Sequence, residues 1–275
     1  MAEFTFGIVQ IAAEEVRSDP SYMFDNQNRP DGSGLVVQLT IGGAAFFRDA
    51  EGERMVAPGY AMLFSHAEPS VYGYPPNGTE PYRHQYIEFT DCQTLRAVFA
   101  ELIREFGAIV SIPENSLARG VFNEILERFR TGEFDDRYHE SELLYRLLIS
   151  IYREQIERTR GRNPIEFGYH YILNRFRYAS NLKGVAAACG VSREYFAREF
   201  KRRYRQSPGG FLKQLRIKHA ESLLKTTSMP VEEIAVASGF VTANAFIRRF
   251  KQSYGVSPGA FRDRVRKQKQ NRRPI

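Results

Sequence analysis

The sequence predicts an α+β protein of two parts, a strand-rich region followed by helices and then a region made only of helices. Short apolar and aromatic segments separated by turn residues fill residues 4–90, and helical spacing of apolar residues begins near residue 94. A pattern in the last hundred residues occurs twice. Charge divides in the same way, since residues 1–159 hold 14 Lys and Arg against 25 Asp and Glu, whereas residues 160–275 hold 25 against 7. We therefore expect two domains, 1–159 and 160–275.

The first ninety residues have the pattern of a small antiparallel β structure. Turns such as Gly-Gly, Pro-Gly and Pro-Pro-Asn-Gly separate the apolar runs. The clearest of these runs cover residues 35–41, 44–47, 60–64 and 84–89. Many short strands at this spacing predict a barrel or sandwich over residues 4–90.

Three helices are predicted over residues 94–158, at about 95–106, 117–129 and 140–156. The last carries an apolar stripe made of Leu143, Leu144, Leu147, Leu148 and Ile151. Such a stripe is either ordinary core or the contact with the same helix of a second chain. A polar segment ended by a proline, residues 158–164, predicts a linker before the helical pattern resumes.

Residues 182–261 contain a repeat with an offset of 49 residues up to a glycine and 50 after it. Gly190, Phe196, Phe200 and Ser207-Pro208 recur as Gly239, Phe246, Phe250 and Ser257-Pro258. Each copy predicts a short helix, a glycine turn and a second helix, in which Ser192 and Thr242 cap the second helix. This is the pattern of a helix-turn-helix, whose second helix enters the major groove of DNA.

The second helix of each copy has an inner aromatic face and an outer polar face. In the first copy Tyr195, Phe196, Phe200 and Tyr204 are predicted to face inward. The outward positions are predicted to read bases, because arginine pairs with guanine and asparagine with adenine. They are Arg193, Glu194, Ala197 and Arg198 in the first copy, and Ala243, Asn244, Ile247 and Arg248 in the second. The predicted phosphate contacts are Lys201, Arg202, Arg203 and Lys251.

A helix of 18 residues is predicted between the copies, over residues 208–225, with proline in its first turn. At ~1.5 Å per residue it spans ~27 Å, close to the ~34 Å between successive major-groove faces of DNA. A connector of this length would let one chain read two adjacent grooves from one side. The excess of positive charge in residues 160–275 supports a polyanionic partner, double-stranded DNA.

These residues resemble the AraC/XylS family of transcription regulators over about 165–266. The segments that carry the resemblance are 216–224 (RIKHAESLL), 231–240 (VEEIAVASGF), 246–251 (FIRRFK) and 254–258 (YGVSP). Residues 241–246 (VTANAF) depart from the family pattern, so no operator sequence is carried over. More loosely, 58–66 and 84–89 resemble strands of the cupin-like domain that many members place first.

The resemblance implies that residues 1–159 form a cupin-like barrel that binds a small effector, with the helices at 94–158 serving dimerisation. It favours a homodimer contact through Leu144, Leu147, Leu148 and Ile151. The predicted effector pocket comprises Arg48, His66, Tyr72, Tyr82, His84 and Tyr86, with a sugar or small metabolite as the leading ligand. A metal site at His66, Glu68, His84 and Glu88 is the alternative, but the His-x-His pair usual in cupins is absent.

Together these patterns predict an effector-responsive, homodimeric transcription regulator that is not an enzyme and needs no cofactor or metal. An activator of this kind would also contact RNA polymerase. Two alternatives stay open at this point: a metal-dependent cupin enzyme fused to a DNA-binding module, and an architectural DNA binder without effector. Two cysteines without metal spacing, no basic and apolar leader, and no long apolar run predict a soluble cytoplasmic protein without a membrane partner.

Overall fold

Strand-forming and helix-forming segments separate along the chain, which folds into two units, residues 1–157 and 158–275. The computed structural model describes residues 6–29, 34–66, 68–178 and 181–270. Residues 271–275, at the end of the second predicted domain, lie outside this described part.

The first unit begins with two antiparallel sheets. The strands are β1 Val9–Arg17, β2 Met23–Asp25, β3 Gly34–Gly42, β4 Ala45–Asp49, β5 Gly52–Val56, β6 Tyr60–Ser65, β7 Val71–Gly73, β8 Tyr82–Thr90 and β9 Ile109–Ser111. One sheet has the order β1-β8-β3-β6-β9 and the other the order β2-β7-β4-β5. β8 lies beside both β1 and β3, in a register that pairs Ile87 with Ala12 and with Val37.

A closed cupin-like barrel is not confirmed. In the described residues the hydrogen-bonded ladders stay within each sheet, so the strands form two separate sheets rather than one closed ring. The five-stranded sheet also gains β9 from beyond residues 4–90, where strands were predicted. Turn spacing predicts the number of strands, but it does not determine which strand edges pair.

Three helices follow the strands: α1 Gln93–Phe106, α2 Leu117–Thr131 and α3 Arg137–Arg162. The predicted dimer contact on α3 is wrong, because its four residues are fully buried within the unit. Leu144, Leu147, Leu148 and Ile151 each have 0% exposure and belong to one core with residues of α1, α2 and the five-stranded sheet. An open sheet leaves an apolar face that must be covered, and the stripe of α3 helps to cover it.

The predicted linker at residues 158–164 is largely helical. α3 continues through Arg162, and the next helix, α4 Pro164–Arg175, begins after the single residue Asn163. The side-chain oxygen of Asn163 accepts a hydrogen bond from the N–H of Glu166, which caps α4. Polar arginine and glutamate residues are good helix formers, so a polar composition alone did not identify a linker.

Six more helices complete the second unit: α5 Leu182–Ala188, α6 Arg193–Tyr204, α7 Pro208–Thr226, α8 Val231–Ala237, α9 Ala243–Tyr254 and α10 Pro258–Gln270. The pairs α5–α6 and α8–α9 are the two copies of the repeat, and α7 joins them. α7 has 19 residues, which at ~1.5 Å each span about 28 Å. Phe196 and Phe200 of α6, like Phe246 and Phe250 of α9, are completely buried.

Hydrogen bonds fix the second helix pair against the segment that follows α4. Arg177 Nε donates to the carbonyl of Ala237 at 3.0 Å, and Arg216 Nε of α7 donates to the carbonyl of Phe176 at 2.8 Å. A Cβ at Gly239 would lie 2.6 Å from the carbonyl oxygen of Arg177. Close packing at the end of α8 therefore holds the two helix pairs in a defined arrangement. In the described part of the chain, no helix has the length and apolar character needed to cross a membrane.

Candidate nucleic-acid interface

Each helix pair is shaped by a glycine and a capping hydroxyl at the predicted places. Gly190 and Gly239 have φ of 69° and 80°, a conformation that costs glycine little. Ser192 Oγ accepts from the N–H of Tyr195, and Thr242 Oγ1 accepts from the N–H of Ala245, both at 3.2 Å. These local features set the angle at which α6 and α9 leave their turns.

Tyr195 was predicted to face inward on α6, but this is wrong, because its side chain is 41% exposed. The Arg198 guanidinium lies over this ring, 5.5 Å from its centroid, and Arg198 Nε donates to Glu199 Oε1 at 3.0 Å. Neither partner was predicted from the sequence. Tyr195, three residues before Arg198, had a spacing that could have indicated the contact, whereas adjacent helical residues such as Glu199 do not normally face each other. Arg198 is therefore held on the exposed face of α6.

The predicted base-reading positions lie on the open faces of α6 and α9. Five of them are exposed: Arg193, Glu194, Arg198, Asn244 and Arg248. The other three, Ala197, Ala243 and Ile247, are half-buried, and Ala243 and Ile247 also pack on the core of the second pair. The exposed set combines guanidinium, amide and carboxylate groups, which are the groups that hydrogen-bond to base edges.

Four residues were predicted to bind phosphate, and the structure places them in two classes. Lys201 and Lys251 are exposed, and their side chains make no hydrogen bond or ion pair with the described residues. Arg202 Nη2 lies 2.6 Å from Glu199, and Arg203 Nη2 lies 2.9 Å from Glu166 of α4. The two lysines are the more available cations, since each arginine already has a carboxylate partner.

A separate cavity of about 130 Å³ lies between the two sheets of the first unit. Its walls include aromatic side chains together with two carboxylates and two guanidiniums. The polar members are Glu15, Arg17, Arg29, Gln38, His66 and Glu88; the aromatic members are Tyr22, Phe24, Phe64, Tyr72 and Tyr86. Glu15 and Arg17 follow Ile11 at alternate positions of β1, so strand periodicity was a signal that could have found them.

The structure brings together only some of the predicted pocket residues. His66, Tyr72 and Tyr86 line the cavity. Tyr82 and His84 are fully buried, with stacked rings 4.5 Å apart. They lie outside the cavity lining, because packing against neighbouring rings fills their surroundings.

Arg48 was predicted to line the pocket, but it lies away from the cavity. Its side chain is 52% exposed and its Nε is 3.8 Å from Glu53 on the neighbouring strand. Arg48 precedes the exposed β4–β5 turn, which explains this placement. The guanidiniums that line the cavity belong to Arg17 and Arg29 instead.

Hydrogen bonds organise the polar groups of the cavity. Arg29 Nη1 donates to the Tyr72 hydroxyl at 3.1 Å, and the Tyr86 hydroxyl donates to Glu15 Oε1 at 3.3 Å. Burial raises the pKa of Tyr72 to about 12, so its hydroxyl keeps its proton at neutral pH. The cavity thus places hydroxyl groups beside charged groups.

The four residues weighed as metal ligands do not form one cluster. His66 Nδ1 lies 3.6 Å from Glu88, and Glu68 accepts hydrogen bonds from Ser65 and Ser70. His84 instead lies 3.1 Å from the Tyr22 hydroxyl. Across the described ranges, no group of three or more His, Cys, Asp or Glu side chains is arranged to hold a metal ion.

Comparison with known proteins points to the second unit. Residues 185–264 match a sequence family described as a helix-turn-helix domain. None of the curated proteins compared with this chain matches it.

Three solved structures illustrate the likeness. The C-terminal domain of AraT, a response regulator from Geobacillus stearothermophilus, is 31% identical and covers 37% of this chain and 84% of that chain, with a TM-score of 0.36. The DNA-binding domain of AdpA, a global transcriptional factor in complex with a target DNA, is 28% identical and covers 38% and 95%, with a TM-score of 0.37. A probable AraC family regulator from Rhodopseudomonas palustris CGA009 is 26% identical and covers 38% and 97%, with a TM-score of 0.34.

The family match spans both helix pairs, from α5 into α10. It coincides with the repeat, the capped recognition helices and the basic half of the sequence. Residues 185–264 therefore form an AraC-type helix-turn-helix domain, the DNA-binding part of a transcription regulator.

Proposed function

We propose that DNA binding by this regulator responds to a small polar molecule held between the two sheets of the first unit. The lining of that cavity is the observation that carries the proposal. Buried structural cavities are usually apolar, whereas this one combines aromatic walls with charged groups. Groups of this kind orient a ligand, and a ligand that binds one arrangement of the protein more tightly shifts the population toward it.

The balance of charges favours a neutral hydroxylated ligand or a zwitterion. Two carboxylates, Glu15 and Glu88, and two guanidiniums, Arg17 and Arg29, give the lining no net charge when the histidine is neutral. Hydroxyl groups can both donate to carboxylates and accept from guanidiniums. A sugar fits these needs, and because the chain contains no Trp, the flat stacking surfaces come from Tyr and Phe.

On the DNA side, we propose that α6 and α9 enter adjacent major grooves. Arg198, Asn244 and Arg248 read bases, while Lys201 and Lys251 contact phosphates. The exposure of these side chains and the length of α7 support this assignment. As an activator the protein would contact RNA polymerase, and as a homodimer it would use a surface other than the buried stripe of α3.

The effector proposal is tested with the full chain in a thermal-shift panel of sugars, polyols, zwitterionic metabolites and purely anionic or cationic ones. A bound effector raises Tm by mass action, by an amount that depends on its concentration. We expect a neutral or zwitterionic member to raise Tm and to change the affinity for a 40-base-pair duplex by about fivefold or more.

Two arginine variants provide the matched comparison. Arg29→Ala removes a cavity guanidinium, and Arg48→Ala removes an exposed one outside the cavity. The ligand should shift the Tm of the wild type and of Arg48→Ala, but shift that of Arg29→Ala much less. A panel with no effect on either Tm or DNA affinity would instead favour an architectural DNA binder.

A further inference from the structure

The end of the first recognition helix carries a residue in an unfavourable backbone conformation. Arg205 has φ of 58° and ψ of 12° and is the single non-glycine residue with positive φ in the described part of the chain. The equivalent position after α9 is Gly255, with φ of 74°. A left-handed residue commonly ends a helix, and glycine is the usual choice because a Cβ makes this conformation costly. The first copy thus contains a strained arginine where the second contains a relaxed glycine.

Contacts within the described residues do not explain the choice of arginine. Arg205 is exposed and makes no hydrogen bond or ion pair there. A cation near a helix C-terminus is favourable, but Lys201, Arg202 and Arg203 already supply positive charge in the last turn of α6. Strain without an internal compensation is a known mark of functional positions.

Arg205 adds a cation directly after the last turn of α6. Arg198 and Lys201 are three residues apart within α6, which places them on one side of the helix, and Arg205 is the capping residue that follows Tyr204. Arg202 and Arg203, between them in sequence, each have a carboxylate partner. Lys201 and Arg205 are therefore the cations near the end of α6 that are available to an anion.

The first helices of the two pairs, α5 and α8, also differ in charge, and again the first copy is the more positive. Lys183 in the first turn of α5 corresponds to Glu232 in the first turn of α8, and both are exposed. The first helix of a helix-turn-helix crosses the DNA backbone. A lysine there attracts phosphate, whereas a glutamate repels it.

We infer that Arg205 contacts a phosphate of the DNA backbone beside the groove entered by α6, and that the first helix pair holds the backbone more tightly than the second. Arg205 thus adds a phosphate contact to the four that the sequence pattern predicted. The strained conformation is kept because the guanidinium at this point binds DNA. Gly255 gives the second pair a relaxed helix end without that contact.

The test replaces Arg205 by glycine in the full chain and measures folding and binding separately. Arg205→Gly should raise Tm by about 4 °C, because it relieves the strain. It should also weaken binding to a random-sequence 40-base-pair duplex by about five- to twentyfold, and make the slope of log affinity against log salt about 0.9 less steep. Since the variant is expected to be more stable, misfolding cannot explain the loss.

Three controls isolate the contact. Arg153→Ala removes one exposed positive charge from the first unit and should leave the salt slope unchanged. Arg205→Lys keeps the charge and should keep most of the slope. Gly255→Arg introduces the strained residue after α9 and should lower Tm.

Three results would overturn the inference. If Arg205→Gly binds the duplex with unchanged affinity and slope, Arg205 does not contact phosphate. If its Tm does not rise, arginine is not strained at this position and the argument for a functional compensation fails. A loss of slope in Arg205→Lys equal to that in Arg205→Gly would also contradict a contact based on charge.

Discussion

Arginines at equivalent positions of the two recognition helices differ in what holds them. Arg198 donates to Glu199 and lies over Tyr195. Arg248 is exposed, and its side chain makes no hydrogen bond or ion pair with the residues described. We therefore expect Arg198 to lose less side-chain freedom than Arg248 on binding DNA, although it must first exchange its contact with Glu199 for one with a base.

Both arginines are expected to read bases. Arg198→Ala and Arg248→Ala should each cost ~1 to 3 kcal/mol on the preferred duplex and change binding to random DNA little. Site selection from a random library measures the preference, and the positions relaxed by the two variants should lie about one helical turn apart. Relaxation of the same positions by both variants would contradict the placement of α6 and α9 in adjacent grooves.

Lys201→Ala provides the contrast with these base contacts. A phosphate contact carries no base information, so this variant should weaken preferred and random duplexes by similar factors. Competition binding with both duplexes measures the ratio of the affinity for the preferred duplex to that for the random one. A selective loss on the preferred duplex would instead make Lys201 a base reader.

Buried His84 is expected to make the first unit sensitive to acid. Burial lowers the pKa of His84 to about 4, from an ordinary value of 6.5. Below pH 6.5 the unfolded chain therefore takes up a proton that the folded chain excludes. The free energy of unfolding should fall as the pH drops from about 6.5 to about 4, by up to about 3 kcal/mol from this residue.

The variant His84→Gln should flatten this pH dependence. Glutamine keeps a polar group near the Tyr22 hydroxyl but does not titrate. Thermal unfolding of both proteins between pH 7.5 and 4.5 measures the difference. Parallel Tm curves would show that His84 does not contribute to acid sensitivity.

At the scale of elements, the sequence predicted the features that depend on local chemistry. The turns at Gly190 and Gly239, the caps at Ser192 and Thr242 and the length of α7 follow from backbone preferences within a few residues. The leucine stripe and the cavity depend on what a segment packs against. Leucines of a core and of an interface have the same spacing, so the sequence alone left the role of α3 open.

Close packing of α4 on α6 supports the first recognition helix. A Cβ at Gly168 of α4 would lie 2.2 Å from Cε2 of Phe196 and 2.9 Å from the sulfur of Cys189. Gly168→Ala should therefore destabilise the second unit by about 1 to 3 kcal/mol through overpacking and weaken DNA binding by displacing α6.

Gly161→Ala is the matched control in α3. A Cβ at Gly161 meets no atom within 4 Å. This variant should stabilise the protein by up to about 1 kcal/mol, because alanine favours the helix. Denaturant unfolding of both variants measures whether the free energy of unfolding rises or falls. Stabilisation by Gly168→Ala would contradict the tight contact with Phe196.

At the scale of the whole molecule, the charges separate between the two units. The acidic residues concentrate before residue 160 and the basic residues after it. The first unit would repel DNA phosphates, while the second carries both recognition helices. Sequence charge could predict this division because it needs no knowledge of packing, unlike the arrangement of strands into two sheets.

This separation predicts that residues 158–275 bind DNA without the first unit. The affinity should fall steeply with salt, with a log-log slope of about −4 or steeper if five or more phosphates are neutralised. Fluorescence anisotropy with a 40-base-pair duplex over a salt series measures the slope, and a fragment of residues 1–157 serves as the control that should not bind. Both recognition helices and the excess of Lys and Arg lie in the second unit. The salt slope of the 158–275 fragment should therefore match that of the full chain. A flat salt response would contradict docking against the DNA backbone.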